Sequence, residues 1–336
     1  MFGFMNSAIG IDLGTANSLV FIPGRGIVLE EPSIVAIDSR KHKILAVGME
    51  AKEMLGKTPD YIKAVRPLKD GVITDFEITQ VMISHFIKKT LGKGILKPKP
   101  RVVVGVPSGV TPVEERAVID AAKSAGAREV YLIAEPMAAA IGADLPISEP
   151  IGNMVVDIGG GTTDVAVISL SGIVISHSLK IAGDEMNEAI IEYIKRKFSM
   201  LIGEQTAEKI KLDLGSATMP TERKEMEVRG RDATGLPRSI IVDSVQIYEA
   251  LEDTLNAIVS AVKTTLEKTP PELAADIVER GIVLTGGGSL LKNFHHKLTQ
   301  DLGIKTYYCE DPLRAVARGV GKVVDDIELL KKVSFA

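Results

Sequence analysis

Apolar positions along the chain change period repeatedly, and the changes mark out its elements. Short β-branched runs predict strands at 8–12, 15–22 and 27–37, the last interrupted by Pro32. Between the second and third of these, Pro23-Gly-Arg-Gly26 reads as a turn. Residues 38–98 are more irregular but contain an amphipathic stretch over Phe76–Leu91. The run 101–107 is apolar at almost every position, which predicts a central strand buried on both faces. A helix follows with both ends written out. Thr111 is its N-cap, Pro112 its first residue, Glu114 closes a capping box and Gly126 stops it. A strand over 130–134 completes this half.

The second half repeats the order. Strands are predicted at 154–157, 163–170 and 173–181, then a helix from Asp184 to about Met200 with Met186, Ile190, Ile194 and Phe198 on one stripe. Residues 204–242 read as an insertion, with the mixed-charge run 222–231 expected as an exposed loop. A long helix over Ser244–Glu267 carries Ile247, Leu251, Leu255, Ile258, Val262 and Leu266 at helical spacing. Pro270-Pro271 breaks the chain, 281–285 is a buried strand, and residues from Asp311 to about Lys331 read as helical. Two α/β domains of common design are expected. The first spans 1–141 plus a returning C-terminal helix at 312–332, with an insert at about 38–75. The second spans 142–311, with an insert at about 185–242.

The repeat extends to the chemistry. Ile9-Gly-Ile-Asp12-Leu-Gly14-Thr15-Ala16-Asn17 and Val155-Val-Asp157-Ile-Gly159-Gly160-Gly161-Thr162-Thr163 are both apolar strands that end in Asp and enter a Gly/Thr turn. Glycine lets backbone N–H groups converge on an anion, and Thr15, Asn17 and Thr162 add side-chain donors. Two carboxylates, Asp12 and Asp157, beside a polyphosphate require a cation, and Mg²⁺ held through water is expected. A single such turn would be an ordinary hairpin; two favour phosphate binding. No Walker A loop occurs. The triple glycine Gly286-Gly287-Gly288-Ser289 follows a strand and allows close approach to a base or α-phosphate. Glu135 stands at the carboxyl end of the 130–134 strand, where it could activate a water aimed at a γ-phosphate, or simply favour a helix N-terminus.

Composition narrows the class. Hydrophobic residues make up 45% and charged residues 25%, the profile of a folded globular chain. A net charge of −4 gives no global pull onto nucleic acid. The one cysteine, Cys309, rules out an internal disulfide and is expected as a packed thiol on a strand. No apolar run approaches the roughly 18–20 residues of a membrane span, and the start lacks a signal-peptide pattern. His295 and His296, adjacent on a helix, are expected on different faces rather than as zinc ligands.

Taken together, eight segments resemble the MreB/Mbl family of bacterial actin homologues, within the actin, heat-shock-70 and sugar-kinase superfamily. They are Gly10-Ile-Asp-Leu-Gly-Thr-Ala-Asn17, Arg66-Pro-Leu-Lys-Asp-Gly-Val-Ile73, Gly105-Val-Pro-Ser108, Glu135-Pro-Met-Ala-Ala-Ala-Ile-Gly142, Val156-Asp-Ile-Gly-Gly-Gly-Thr-Thr163, Ala182-Gly-Asp-Glu-Met186, Thr269-Pro-Pro-Glu-Leu273 and Leu284-Thr-Gly-Gly-Gly-Ser-Leu290. The resemblance implies two ribonuclease-H-like domains, each with an inserted subdomain and with ATP or ADP in the cleft between them. It implies that Asp12 and Asp157 organise Mg²⁺ and that Gly14, Thr15, Ala16, Asn17, Gly159, Gly160, Gly161 and Thr162 bind phosphates. Glu135 with Thr162 would position the hydrolytic water. Gly183, Asp184, Glu208, Lys211 and Gly286 through Ser289 would hold the adenosine. Asp164 stands where this family usually has Glu, Asn187 where it has Asp, and Ala134 where it has an acid.

The resemblance also implies an ATPase that polymerises into paired protofilaments on the inner face of the plasma membrane. It would maintain rod shape with cell-wall elongation proteins such as MreC, MreD and RodZ. Phe2 and Phe4, with Ile95 and Leu96 among the cations of 92–101, suit shallow insertion among anionic headgroups, and a filament would multiply weak contacts. A heat-shock-70-type chaperone ATPase and a small-molecule kinase remain alternatives on the same fold.

Overall fold

The computed structural model describes residues 8–41, 43–91 and 99–335. Phe2, Phe4, Ile95 and Leu96 lie outside the described residues. Among those described, one sheet runs in the order Ser334–Phe335, Glu129–Ala134, Arg101–Val106, Ala8–Leu13, Asn17–Ile22, Gly26–Pro32. A second runs Gly172–Leu179, Thr163–Ser169, Asn153–Ile158, Ile282–Thr285, Thr306–Tyr308.

Apart from the added C-terminal strand, the two sheets share one topology. Each opens as a three-stranded antiparallel meander, and its first strand then pairs in parallel with a later one. This is the ribonuclease-H-like arrangement that the family resemblance implies. Asp12 pairs across the sheet with Leu19 and Gly105, and Asp157 with Asp164 and Thr285. Equivalent register brings both acids to the carboxyl ends of first strands, where open α/β sheets bind ligands.

Two helices join the halves. Glu135–Gly142 and Ala315–Asp325 pack against each other in a core that takes Val103 and Ile133 from the first sheet and Val155, Ala166 and Ile168 from the second. Their crossing is close enough that a Cβ on Gly142 would lie 1.8 Å from the Ala315 carbonyl oxygen. A Cβ on Gly319 would stand equally near the Ala138 carbonyl. The contact therefore requires backbone against backbone at these points.

The capped helix Pro112–Ser124 has both bonds of its capping box, and the helix Ser244–Glu267 begins and ends as the pattern requires. Three expectations are corrected and two extended. Residues 27–37 form two strands in two sheets, Gly26–Pro32 and Val35–Asp38. The chain breaks between them because Ser33 turns to the first glycine turn, its N–H donating to the Ala16 carbonyl and its hydroxyl to the Gly14 carbonyl. The run 222–231 is no loop: Glu225–Asp232 is a strand paired with Pro237–Asp243. Its charges alternate with Met226, Val228 and Gly230, so one face is polar while Val228 is buried.

The double proline does break the preceding helix, but Pro271 also begins a new one, Pro271–Arg280, because a first helical residue needs no N–H donor. The C-terminal stretch is interrupted rather than continuous. A short 3₁₀ turn, Pro312–Arg314, precedes the helix Ala315–Asp325, and Asp326 then caps a separate helix, Ile327–Val333. The irregular region near the N-terminus also orders further than expected. Lys43–Val47, Val35–Asp38 and Ile62–Val65 form a small sheet beside the helix Met49–Met54.

Candidate functional site

Between the two sheets lies a cavity of about 430 Å³. Both repeated turns line it. Gly14, Thr15, Ala16 and Asn17 come from one side, Gly159, Gly160, Gly161 and Thr162 from the other. The turns nearly touch: a Cβ on Gly160 would fall 2.7 Å from the Ala16 Cβ. One on Gly161 would fall 2.9 Å from the Thr15 hydroxyl oxygen. Any side chain here would hold the halves apart.

The third glycine turn closes one end. Gly286 has φ of +79°, and its N–H donates to the Pro312 carbonyl. Gly287, Gly288, Leu290, Leu291 and Leu313 line the cavity together with Leu212 and Lys211, a largely apolar set suited to a flat base. Ser289 departs from expectation: it is fully buried, its hydroxyl donates to the Gly286 carbonyl, and it does not line the cavity. Gly183, Asp184 and Glu208 do line it. Lys211 donates to the Gly183 carbonyl at 2.8 Å, and burial draws its ammonium below the ordinary lysine range.

Electrostatics single out the floor of the cavity. Burial, and then the charge of Asp157, push the Asp12 carboxyl up to about 7. Burial likewise raises Asp157 to about 7, opposed by the Thr285 hydroxyl that donates to its Oδ1 at 2.7 Å. Glu135 is raised well above the usual carboxylate range, by burial first and then by Asp164, Asp12 and Asp157. Burial and neighbouring acids disfavour the charges of Asp12, Asp157 and Glu135, which a cation among them would relieve. All-oxygen donors with room for water suit hydrated Mg²⁺, and the glycine turns suit the phosphates that would share it. The residues present therefore fit a metal-nucleotide pair. Among the described residues no three His, Cys, Asp or Glu side chains converge as direct metal ligands.

Several lining residues were not singled out individually. Arg66 reaches across the cavity mouth to Glu204 and lies 3.6 Å from Asp184. Lys52 stands 3.9 Å from Glu208 on the same side. Gly71 donates its N–H to the Thr15 hydroxyl at 3.0 Å, just after Asp70 in the left-handed region. The Asp70-Gly71 pair was the available signal, since that dipeptide marks a tight turn. Asn187, noted in the sequence only as standing where the family usually has Asp, also lines the cavity and is nearly sealed from solvent.

Outside the cavity, Cys309 follows the strand Thr306–Tyr308 and is half-buried, which raises its thiol. The two histidines do not diverge as expected. Their rings lie 3.9 Å apart, and His295 Nδ1 is 3.1 Å from the Tyr308 hydroxyl.

Residues 6–332 match the family model described as MreB/Mbl protein. The chain belongs to the MreB/Mbl family. It is 54% identical to the cell shape-determining protein MreB of Escherichia coli strain K12, over 97% of this chain and 96% of that protein. It is 50% identical to the cell shape-determining protein Mbl of Bacillus subtilis strain 168, over 96% of this chain and 97% of that one. MreB5 of Spiroplasma citri, solved bound to AMPPNP, superimposes with a TM-score of 0.92 at 37% identity, covering 98% of each chain. The actin-like fold of this MreB/Mbl chain thus agrees with that of its solved relative. No helix among its described residues is long and apolar enough to cross a membrane.

Proposed function

We propose that this chain is a cell-shape cytoskeletal ATPase that binds Mg·ATP in the cleft, hydrolyses it slowly and assembles with copies of itself into membrane-associated filaments. The observation that carries the reading is the near contact of two equivalent glycine turns, at Ala16 and Gly160, over a floor of carboxyls raised chiefly by burial. A nucleotide held from both sides couples its own state to the angle between the halves. The AMPPNP bound by MreB5 supports the choice of an adenine nucleotide.

In this reading Asp12 and Asp157 hold the hydrated Mg²⁺, which would supply charge neutralisation at the phosphates. Gly14, Thr15, Ala16, Asn17 and Gly159 through Thr162 cradle those phosphates, while Gly183, Asp184, Glu208, Lys211 and Gly286 through Gly288 hold the adenosine. Glu135 orients the attacking water with Thr162. Its raised carboxyl must lose its proton to act as a base, and a bound divalent cation favours that loss. The division into domains at 1–141 with 312–332, and 142–311, places the cleft at their junction.

Filaments of this kind, as paired protofilaments on the inner membrane face, would organise wall synthesis with membrane partners such as MreC, MreD and RodZ. The shape-determining names of the E. coli and B. subtilis relatives support that role. Calorimetry with ATP, with and without Mg²⁺, tests the site. Pelleting with ATP, with and without anionic liposomes, tests assembly and attachment. Folded protein that takes up no adenine nucleotide would refute the reading. Phosphorylation of a small-molecule acceptor would turn it toward a kinase.

A further inference from the structure

We infer that Asp164 and Ser108 form a clasp across the cleft floor, a pair of positioning residues that holds the two glycine turns at their working separation. Ser108 lies just after the strand Arg101–Val106 of the first sheet, and Asp164 lies within the strand Thr163–Ser169 of the second. The Ser108 N–H donates to Asp164 Oδ1 at 2.9 Å, and the Ser108 hydroxyl donates to the same oxygen at 2.8 Å. Asp164 is fully buried. Its Oδ2 makes no hydrogen bond of normal geometry, although the Ser178 and Thr162 hydroxyls beside it favour its charge. The contact is tight around it: a Cβ on Gly109 would lie 3.0 Å from the Ser178 Cβ.

The clasp is wired to both turns. On its own strand, Asp164 stands two residues from Thr162 and opposite Asp157. On the facing side, a Cβ on Gly71 would fall 2.4 Å from Pro107 Cγ, and Gly71 donates to Thr15. A continuous path therefore runs from Thr15 through Gly71, Pro107 and Ser108 to Asp164 and Thr162.

Its energetics make it a poised element rather than a rigid one. A sealed carboxylate is costly, and here the compensating donors that reach across the cleft belong to the opposite half. Opening the cleft breaks two charge-assisted bonds but lets water reach the acid. Closed and open arrangements are thus brought close in free energy, and a ligand bridging the turns selects the closed one. The consequence for nucleotide release rests on the reading given under Proposed function; the clasp itself does not.

The test compares full-length wild type, Ser108→Ala and Ser108→Thr. Hydrogen–deuterium exchange of the nucleotide-free proteins reads the clasp directly. Ser108→Ala is expected to raise exchange at 107–111 and, across the cleft, at 159–164, and Ser108→Thr to restore protection at both. Release of a fluorescent ADP with Mg²⁺ reads the consequence. It should quicken about tenfold in Ser108→Ala, the scale of one hydrogen bond to a charged group, and return toward wild type in Ser108→Thr. Unchanged exchange at 159–164 in Ser108→Ala would overturn the clasp. Altered exchange with release unchanged within about twofold would overturn its hold on the cleft. A wild type that takes up no fluorescent ADP would refute the nucleotide reading instead, and the exchange comparison would still decide the clasp.

Discussion

Replacing Asp12 by Asn should stabilise the nucleotide-free protein while weakening its response to Mg²⁺. Asp12 is an acid raised from 3.8 to about 7 by burial and by Asp157. At pH 8 it is forced to ionise in a site that resists the charge. About three pH units at 1.36 kcal/mol each make that cost about 4 kcal/mol. The amide of Asn removes the charge, but burying it costs about 1–3 kcal/mol of its own. A net gain of about 1–3 kcal/mol at pH 8 is expected.

The sign with pH follows from linkage. The folded protein holds this proton more tightly than the unfolded chain does. The wild type therefore loses stability as pH rises from about 4 to about 7, and above that the loss is complete. The advantage of Asp12→Asn should accordingly shrink by about 2 kcal/mol between pH 8 and pH 5.5. Urea denaturation of both proteins at the two pH values, without nucleotide, measures it. Titration with ATP in Mg²⁺ and in EDTA supplies the counterpart: the tightening by Mg²⁺ should fall at least about tenfold in the variant. A variant less stable than wild type by the same amount at both pH values would refute the argument. Charge would then not be what Asp12 contributes to the empty site.

Other outcomes follow from the same geometry. Glu135→Gln should retain ATP binding but lose hydrolysis by about 100-fold or more, read as phosphate release, because the amide cannot accept the proton of water. Gly160→Val should lower nucleotide affinity sharply while leaving the circular dichroism of the fold intact, since a side chain there meets Ala16 at 2.7 Å before the turns can close. Gly142→Ala should lower stability by about 3 kcal/mol, seen as a reduced urea midpoint, because its Cβ would collide with the Ala315 carbonyl. Arg66→Ala should speed nucleotide exchange at low salt and matter less at high salt, since it removes the ion pairs with Glu204 and Asp184 at the cavity mouth.

Much of this protein is local in origin, and local chemistry can be read from order alone. The capping box at Thr111 and Glu114, the stripe from Ile247 to Leu266 and the two Asp-then-glycine turns each depend on residues within a few positions of one another. Their repetition was enough to indicate two like halves, each carrying one such turn. The errors arose where a distant partner decided. Ser33 breaks a strand because it bonds to Gly14, and the run 222–231 becomes a strand only because Pro237–Asp243 pairs with it. Ser289 is a different case: its hydroxyl turns to the Gly286 carbonyl, only three residues back.

By itself, the sequence determined that two Asp-then-glycine turns would form, since glycine and threonine at those spacings have the conformations and donors such turns need. Only the tertiary structure decided that the two turns face each other, that Asp12, Glu135 and Asp157 share one floor with Asp164 buried beside it, and that Ser108 reaches Asp164. The interacting acids lie up to 145 positions apart in sequence, from Asp12 to Asp157. Such proximity is created by the packing of Glu135–Gly142 against Ala315–Asp325, and no local pattern encodes it.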